Sequence, residues 1–317
     1  VKAFGPPATP LGPGDDCAVI RVGRGRELCV TVDAVVEGVH FTRETFSPAD
    51  IGHKALAVNL SDLAAMGAAP RFALCALGLP AWVGDAELRG LSRGMSALAR
   101  RAGIQLVGGN LTRARELSVT ITVAGEVPMG RALRRDTAKE GAWLYVGGTL
   151  GDAAAGLHLL HEASGATGTR AMRTLHTAQR RPDPQLRLGV LARAYASAAI
   201  DLSDGLASDV GHLAQASGLR AVLEADALPL SSALRRGISE GWLPADAAQW
   251  ALTGGEDYRL LLAIPPARVR GFERALAREG LVATPVGRLE PGRGVRVRGA
   301  DGRSRGVGRG FDHFRAG

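Results

Sequence analysis

The stretch SAAIDLSDGLASDVGHLAQASG (residues 197–218) changes within a few positions from the pattern of a strand to that of a helix. Residues 198–200 are apolar, as in a buried strand, and apolar residues then recur at helical spacing. Asp201 and Asp204 stand at the junction. An unpaired buried carboxylate is costly, so each acid needs a partner, either backbone amides or a cation. Because Ser203 or Asp204 could also cap the helix, this junction alone leaves both explanations open.

Strand and helix patterns mix in both halves of the chain, which predicts the α/β or α+β class. The chain has 317 residues, enough for two ordinary domains. The polar and basic stretch at 128–141 joins two strand patterns, so it is the best candidate for a boundary. We therefore expect an N-terminal domain over residues 1–130 and a C-terminal domain over residues 131–317.

Local signals predict individual elements. Ser47 can cap a helix, and Asp50 stands three residues after the cap, as in a capping box. The sequence GIQLVGGN (residues 103–110) reads as a strand that ends in a glycine turn. Residues 164–183 read as a loose polar stretch, and a helix is expected over 184–197.

Composition argues against nucleic-acid-binding, disulfide-bonded and membrane-spanning proteins. The net charge of +8 could indicate nucleic-acid binding, but the chain has no dense Lys/Arg cluster and few aromatic residues for base stacking. Three cysteines, at 17, 29 and 75, are odd in number and lack CxxC spacing, which is typical of a reduced, cytoplasmic protein. No apolar stretch approaches the roughly 20 residues of a membrane span. We expect a cytoplasmic protein that binds neither nucleic acid nor membrane.

Carboxylates stand beside glycine turns and strand ends in five places: Asp15 with Asp16, Asp33 with Glu37, Asp62, Asp201 with Asp204, and Glu256 with Asp257. Asp33 interrupts an apolar strand, and Asp62 lies near the end of its helix, where the negative end of the helix dipole disfavours it by ~0.3–1 kcal/mol. A cation would reverse that effect. With the hydroxyls of Thr31 and Ser203 nearby, the pattern predicts Mg²⁺, which prefers hard oxygen ligands and usually bridges to phosphate.

Besides acids that could hold Mg²⁺, a phosphate site needs groups that bind the phosphate itself, and glycine-rich turns could supply them. LVGGNLT and YVGGTLGD are each expected to present backbone amides at a strand end, and the second leads into a helix N-terminus. Neither is a Walker A loop, and no GxGxxG follows a strand. Each Gly pair could also be an ordinary turn, and His40 an ordinary histidine. Nothing in the sequence indicates a nucleophilic Ser or Cys.

Taken together, the motifs resemble the thiamine-monophosphate kinase family, from about Gly14 to Phe314. The matching segments occur in the family's order: GDDCAV, VTVDAVVEGVHF, KALAVNLSDLAAMGAAP, GGNLT, RRDTAKEGAWLYVGGTLGDAAAGL, AIDLSDGLASDVGHLAQASG, TGGEDYRLLL and GFDHF. The wider superfamily includes aminoimidazole-ribonucleotide synthetase, selenophosphate synthetase and a hydrogenase-maturation factor. NLSDLAAMGA and GGEDY favour the kinase.

The resemblance implies a two-domain synthetase-like fold. The N-terminal sheet would pack against that of a second subunit as the barrel-like core of a homodimer, and the C-terminal α+β domain would complete the active-site cleft. ATP and several Mg²⁺ ions would bind there. The implied reaction converts ATP and thiamine monophosphate to ADP and thiamine diphosphate. No general base is expected, because the attacking phosphate oxygen is already ionised at neutral pH.

The resemblance also assigns residues to roles. Expected metal ligands are Asp16, Thr31, Val32, Asp33, Asp62, Asn110, Asp201 and Asp204; ATP-site residues are Gly109, Asn110, Arg135 and Ser203; residues of the thiamine monophosphate pocket are His40, Glu256 and Phe311. Asn110 stands where the family usually has a metal-binding Asp. An amide oxygen can still coordinate, but without the charge.

Two alternatives stay open at this point. The chain could be a different ATP-dependent kinase or synthetase of the same superfamily. It could also be a nucleotide-binding homologue in which Asn110 marks impaired turnover.

Overall fold

A computed structural model describes residues 18–21, 24–162, 168–299 and 304–306. The chain divides into two compact units. Unit 1 comprises Val1–Ala132 with Arg180–Leu186, and unit 2 comprises Leu133–Gln179 with Arg187–Gly317. Both units mix strands and helices, which confirms the predicted α/β class. In the described part of the chain, no helix is both long and apolar enough to cross a membrane.

Unit 1 is a five-stranded sheet with two helices. Its strands are β1 (Ala18–Arg21), β2 (Arg26–Val36), β3 (Ala69–Leu79), β4 (Gln105–Arg113) and β5 (Ser118–Pro128), in the spatial order β1-β2-β5-β3-β4. The helices are α1 (Pro48–Ala65) and α2 (Asp85–Ala102). The pair β3–β4 is parallel and the other pairs are antiparallel. Within one chain these strands form an open sheet, so the barrel-like dimer core stays a prediction.

Helix α1 begins as the sequence predicts. The Ser47 side chain accepts a hydrogen bond from the backbone N–H of Asp50 at 3.2 Å, and the Asp50 carboxylate accepts one from the Ser47 N–H at 3.1 Å. This is the expected capping box. It fixes the register of α1, and therefore the position of Asp62 one turn before the C-terminal end.

Glycines let α1 and α2 approach until their backbones are in contact. A Cβ atom on Gly94 would lie 1.8 Å from the carbonyl oxygen of Ala49, and one on Gly52 would lie 2.1 Å from that of Leu91. No larger residue fits at either position. The close crossing holds α1 in one place over the sheet.

The glycine turn predicted within residues 106–110 is wrong, because these residues lie inside the continuous strand β4. Gly109 pairs with Cys75 of β3, and a Cβ on Gly109 would lie 1.8 Å from the Cys75 carbonyl oxygen. Gly109 therefore permits close approach of two strands rather than a reversal of the chain.

Unit 2 is a mixed seven-stranded sheet flanked by helices. The strands are β6 (Trp143–Gly147), β7 (Ala198–Leu202), β8 (Leu219–Glu224), β9 (Arg259–Ile264), β10 (Ala283–Pro291), β11 (Gly294–Arg298) and β12 (Ser304–Gly306), in the order β12-β11-β8-β10-β6-β9-β7. The helices are α3 (Asp152–His161), α4 (Arg170–Arg180), α5 (Leu186–Ala192), α6 (Leu206–Ala216), α7 (Ser232–Ser239), α8 (Ala247–Thr253) and α9 (Val269–Glu279). A continuous apolar core packs α6 against the central strands.

Helix α4 corrects the prediction of a loose stretch over 164–183. It is amphipathic, with Met172, Leu175 and Gln179 on its buried side, and the N–H of Met172 donates to the Thr169 hydroxyl at 3.2 Å. Helix α5 is shorter than the predicted helix over 184–197.

Candidate functional site

Two side chains predicted as metal ligands are in contact in unit 1, and a third lies on the same face of the sheet. The Thr31 hydroxyl donates to the Asp62 carboxylate at 2.6 Å, and the backbone N–H of Asp33 donates to the amide oxygen of Asn59 at 3.0 Å. Thr31 and Asp33 are two residues apart on β2, so both side chains point to the face covered by α1. We call Thr31, Asp33 and Asp62 the oxygen cluster.

The electrostatics of the oxygen cluster favour a hard cation. Asp62 lies in the last turn of α1, where its own carbonyl accepts from the N–H of Met66 at 3.1 Å. The negative end of the helix dipole disfavours a carboxylate there. Carboxylate and hydroxyl oxygens are the ligands that Mg²⁺ selects. The donor set therefore fits a magnesium ion.

Val32 and Asn110 lie on the other face of the sheet. Val32 pairs with Thr122, and its side chain is 57% exposed. One cross-strand row of the sheet contains Asn110 on β4, Ala76 on β3, Thr120 on β5 and Ala34 on β2. Ala34 is the neighbour of Asp33 on β2, so its side chain points to the opposite face from Asp33. Residues in one cross-strand row share a face. Unit 1 therefore does not bring the Asn110 side chain to the oxygen cluster.

In unit 2, acids gather where β7 ends and α6 begins. Asp201 is buried at the end of β7. Ligand atoms of Asp204, Asp209 and His212 all lie within 4.8 Å of one another, and the Asp209 carboxylate accepts from the Asp204 N–H at 3.0 Å. We call Asp204, Asp209 and His212 the acid–histidine cluster.

Sequence analysis missed Asp209 and His212 as members of a site. The signal was present, because residues three apart in a helical pattern lie on the same face. Read together with Asp204 at the preceding turn, the D-x-x-H spacing indicates a side-chain cluster at the first turns of α6.

The two acid-bearing loops of unit 2 are docked on each other. The N–H of Glu256 donates to the carbonyl of Ser203 at 2.7 Å, and the N–H of Tyr258 donates to that of Leu202 at 2.8 Å. Glu256 and Tyr258 have φ values of +66° and +48°, which non-glycine residues rarely adopt. Such backbone strain concentrates at functional sites. The hydrogen bond from the Glu256 N–H holds Glu256 beside Ser203.

Asp257 binds the helix N-terminus that the sequence suggested for phosphate. Its buried carboxylate accepts from the N–H groups of Gly151 at 2.7 Å and Ala153 at 3.3 Å, at the start of α3. Burial raises the pKa of Asp257 to about 7, and the nearby Asp152 adds to the increase. Burial also raises the pKa of Asp152, against hydrogen bonds from Ser231 and Thr149. In this structure the protein's own carboxylate satisfies these amides, so the phosphate interpretation of this turn is wrong.

The other predicted residues have the following positions. His40 Nδ1 accepts from the N–H of Val36 at 3.1 Å in unit 1. Arg135 begins a short 3₁₀ turn, Arg135–Thr137, in unit 2, and its carbonyl accepts from the Ser217 hydroxyl at 2.6 Å. Asp16 and Phe311 lie outside the residues that the structure describes.

Comparisons with known proteins match nearly the whole chain. Residues 14–127 match the model of the AIR synthase related protein, N-terminal domain, and residues 139–300 match that of the C-terminal domain. Thiamine-monophosphate kinase of Salmonella typhimurium is 43% identical over 278 residues, which cover 88% of this chain and 83% of the relative. That of Bacillus subtilis is 39% identical over 254 residues, which cover 79% and 76%.

Solved structures agree with the sequence comparisons. AaThiL complexed with AMPPCP and TMP has a TM-score of 0.85 and 33% identity, and the match covers 95% of this chain and 91% of that chain. Thiamine-monophosphate kinase from Stenotrophomonas maltophilia has a TM-score of 0.82 and 40% identity, and covers 96% and 94%. Escherichia coli HypE, with a TM-score of 0.71, 24% identity and coverage of 89% and 85%, shares the fold.

Proposed function

This chain belongs to the thiamine-monophosphate kinase family of AIR synthase related proteins, and we propose that it transfers a phosphoryl group from ATP to thiamine monophosphate. The products are ADP and thiamine diphosphate. The observation that carries the proposal is the match over 95% of the chain to a structure that binds AMPPCP, an unreactive analogue of ATP, together with TMP.

Magnesium is the cofactor that the family implies, and oxygen-rich residues would hold it. The proposed ligands are Asp16, Thr31, Asp33, Asp62, Asp201 and Asp204, with the backbone of Val32. Asn110 is left out, because its side chain lies on the opposite face of the unit 1 sheet. The fit of the oxygen cluster supports this assignment, since Thr31 and Asp62 already share a 2.6 Å hydrogen bond. When bound, Mg²⁺ neutralises phosphate charge and aligns the reacting oxygens.

The chain's own residues would position two anionic substrates. We assign Gly109, Arg135 and Ser203 to the ATP site, where the Arg135 guanidinium can form paired hydrogen bonds to phosphate. His40, Glu256 and Phe311 are assigned to thiamine monophosphate. Because His40 Nδ1 already accepts a backbone hydrogen bond, its ring is held for binding rather than for proton abstraction. The rate enhancement would then come from positioning and charge neutralisation, without a general base.

We further propose a cytoplasmic homodimer in which a second copy covers the free face of the unit 1 sheet. Val32 and Leu74, both exposed, belong to one cross-strand row on the face opposite α1. Apolar patches on a sheet face commonly mark an interface. Residues 1–130 and 131–317 remain the proposed domain ranges.

The first experiment measures turnover. The purified native protein, Asp62→Asn and Asn110→Asp are each mixed with ATP, MgCl₂ and thiamine monophosphate, and thiamine diphosphate is followed by chromatography. The native protein should form product. Asp62→Asn should lose roughly 100-fold or more in rate because a charge at the metal site is lost. Asp85→Asn, an exposed acid on α2, is the control and should match the native protein.

Asn110→Asp separates the alternatives. Because Asn110 lies on the sheet face opposite the oxygen cluster, we expect its rate within about threefold of the native rate. Product from this variant alone would mean that Asn110 disables a metal site. If neither the native protein nor Asn110→Asp forms thiamine diphosphate, the substrate assignment fails. The reaction of another ATP-dependent enzyme of the same superfamily then becomes the leading candidate.

A further inference from the structure

Glu37, an acid beside a glycine turn, has a different environment from the acids proposed as metal ligands. It directly follows β2, and its side chain is 17% exposed. Its Oε2 accepts from the backbone N–H of Leu117 at 3.0 Å and from the indole N–H of Trp82 at 3.2 Å. Its Oε1 lies 3.1 Å from Arg43 Nε. Three N–H donors converge on this carboxylate, which suits an anion held by the protein rather than a ligand of a metal ion.

The Glu37 carboxylate joins segments that are far apart in the sequence. Trp82 lies between β3 and α2, and Leu117 lies between β4 and β5. The Glu37 N–H also donates to the Leu117 carbonyl at 2.9 Å, so these two residues bond in both directions. The Arg43 guanidinium lies 5.0 Å from the centre of the Trp82 ring, in a cation–π contact. Glu37 therefore fastens the loop between β2 and α1, residues 37–46, to two neighbouring loops of unit 1.

Residues 37–46, which we call the histidine loop, include His40, the residue assigned to thiamine monophosphate. The N–H of Val36 donates to His40 Nδ1 at 3.1 Å, and the N–H of His40 donates to the Val36 carbonyl at 2.9 Å. On the far side of His40, Phe41 is buried, and Lys54 Nζ donates to the His40 carbonyl at 3.3 Å. His40 is thus held from two sides, and Glu37 provides the anchor on the side of β2.

We propose that Glu37 is a positioning residue for thiamine monophosphate, which acts by holding His40 in its binding position. This inference rests on the proposed function. Glu37 acts without touching the substrate, since donors of the protein already occupy its oxygens. Hydrogen bonds to a charged acceptor are stronger than those to a neutral one, so this anchor resists displacement. Such support matters because a displacement of about 1 Å in a substrate-binding group can cost on the order of 100-fold in rate.

The test measures binding of thiamine monophosphate by calorimetry. Glu37→Leu keeps the bulk of the side chain but removes the acceptor for Leu117 and Trp82, so the Kd for thiamine monophosphate should rise about tenfold. The Kd for AMPPCP should stay within about twofold of the native value, because the histidine loop contains no residue assigned to ATP. Glu37→Gln should bind thiamine monophosphate within about threefold of the native affinity, because one amide oxygen can accept both N–H bonds and only the ion pair to the exposed Arg43 is lost.

Glu27→Leu is the matched control. Glu27 is a buried acid near the other end of β2, and its Oε2 accepts from the backbone N–H of Gly130 at 2.9 Å. Its loss should lower the melting temperature but leave the Kd for thiamine monophosphate within about twofold of the native value. Hydrogen exchange is the second readout. Backbone amides of residues 38–46 should exchange at least about tenfold faster in Glu37→Leu, and at close to the native rate in Glu27→Leu.

If Glu37→Leu does not fold, Trp82→Phe removes the indole donor alone and should raise the Kd for thiamine monophosphate about threefold. Native affinity in a folded Glu37→Leu protein, or an equal loss of affinity in Glu27→Leu, would overturn the inference.

Turnover, measured separately, reports on the proposed function. A native protein whose affinity for thiamine monophosphate falls in Glu37→Leu, but which forms no thiamine diphosphate, would contradict the kinase reaction and support the positioning role. A native protein that binds no thiamine monophosphate would contradict both.

Discussion

Asp257 shows how one side chain can serve the fold and respond to pH. Below about pH 3 its carboxyl is protonated in the folded and the unfolded chain alike. As the pH rises, the unfolded chain loses this proton first, and the folded chain loses it only near pH 7, because burial raises the folded pKa to about 7. The stability that this carboxyl contributes is therefore lost as the pH rises through that window.

We expect Asp257→Asn to remove this pH dependence, since the amide never ionises. It keeps one acceptor oxygen and loses the second backbone hydrogen bond, which lowers stability equally at all pH values. Each pKa unit corresponds to about 1.4 kcal/mol, so between pH 5 and pH 8 the native protein should lose on the order of 2 kcal/mol more unfolding free energy than the variant. Urea denaturation at both pH values measures the difference. Asp226→Asn, at an exposed turn, should follow the native curve. Parallel pH profiles for native protein and Asp257→Asn would contradict the assigned pKa shift.

At the scale of elements, the crossing of α1 and α2 depends on glycine. Gly94→Ala would place a Cβ against the Ala49 backbone, which cannot rotate away, so we expect a loss of ~1–3 kcal/mol in unfolding free energy. Gly211→Ala, inside α6, would meet only Val295 at 3.4 Å and should gain ~0.5–1 kcal/mol from helix propensity. Thermal or urea unfolding compares the two variants. Equal stability of both would mean that the helices are not in backbone contact.

Element predictions succeeded where the signal is local. The Ser47 cap and the Asp50 capping box are contained in four consecutive residues, and α1 begins where they predict. Helix α4 was missed because its outward face carries arginine and threonine, although the buried Met172, Leu175 and Gln179 follow helical spacing. Gly109 was misread because a glycine turn and a close strand contact have the same local sequence, and only the partner Cys75 distinguishes them.

The sequence predicted which residues belong to the candidate site but not which side chains contact one another. An acid inside an apolar strand and an acid near a helix end indicated Asp33 and Asp62, but the bond from Thr31 to Asp62 joins residues 31 positions apart. Pairing over such a distance depends on how α1 lies on the sheet, which the periodicity of a single segment does not specify. The same limit hid the bond between Gln179 and Glu256, which are 77 positions apart.

At the scale of the whole molecule, the sheet of unit 1 raises the question of what covers its second face. Helices cover one face and bury Val119, Ile121 and Val123 of β5 completely. On the other face, Phe72 and Leu74 of β3 are 38% and 42% exposed. Water contact with aligned apolar side chains is unfavourable, and a second copy of the same face would relieve it.

Leu74→Asp tests the proposed homodimer. The new charge would be buried at the interface of a dimer, whereas in a monomer it would remain exposed to water, so the variant should sediment as a monomer while the native protein sediments as a dimer. Its far-ultraviolet circular dichroism should equal the native spectrum, because Leu74 is already 42% exposed within one chain.

Val282→Asp is the matched control, since Val282 is an apolar residue that is 69% exposed in unit 2. This control should remain a dimer. A native protein that sediments as a monomer, or a Leu74→Asp variant that remains a folded dimer, would mean that the second copy does not cover this face.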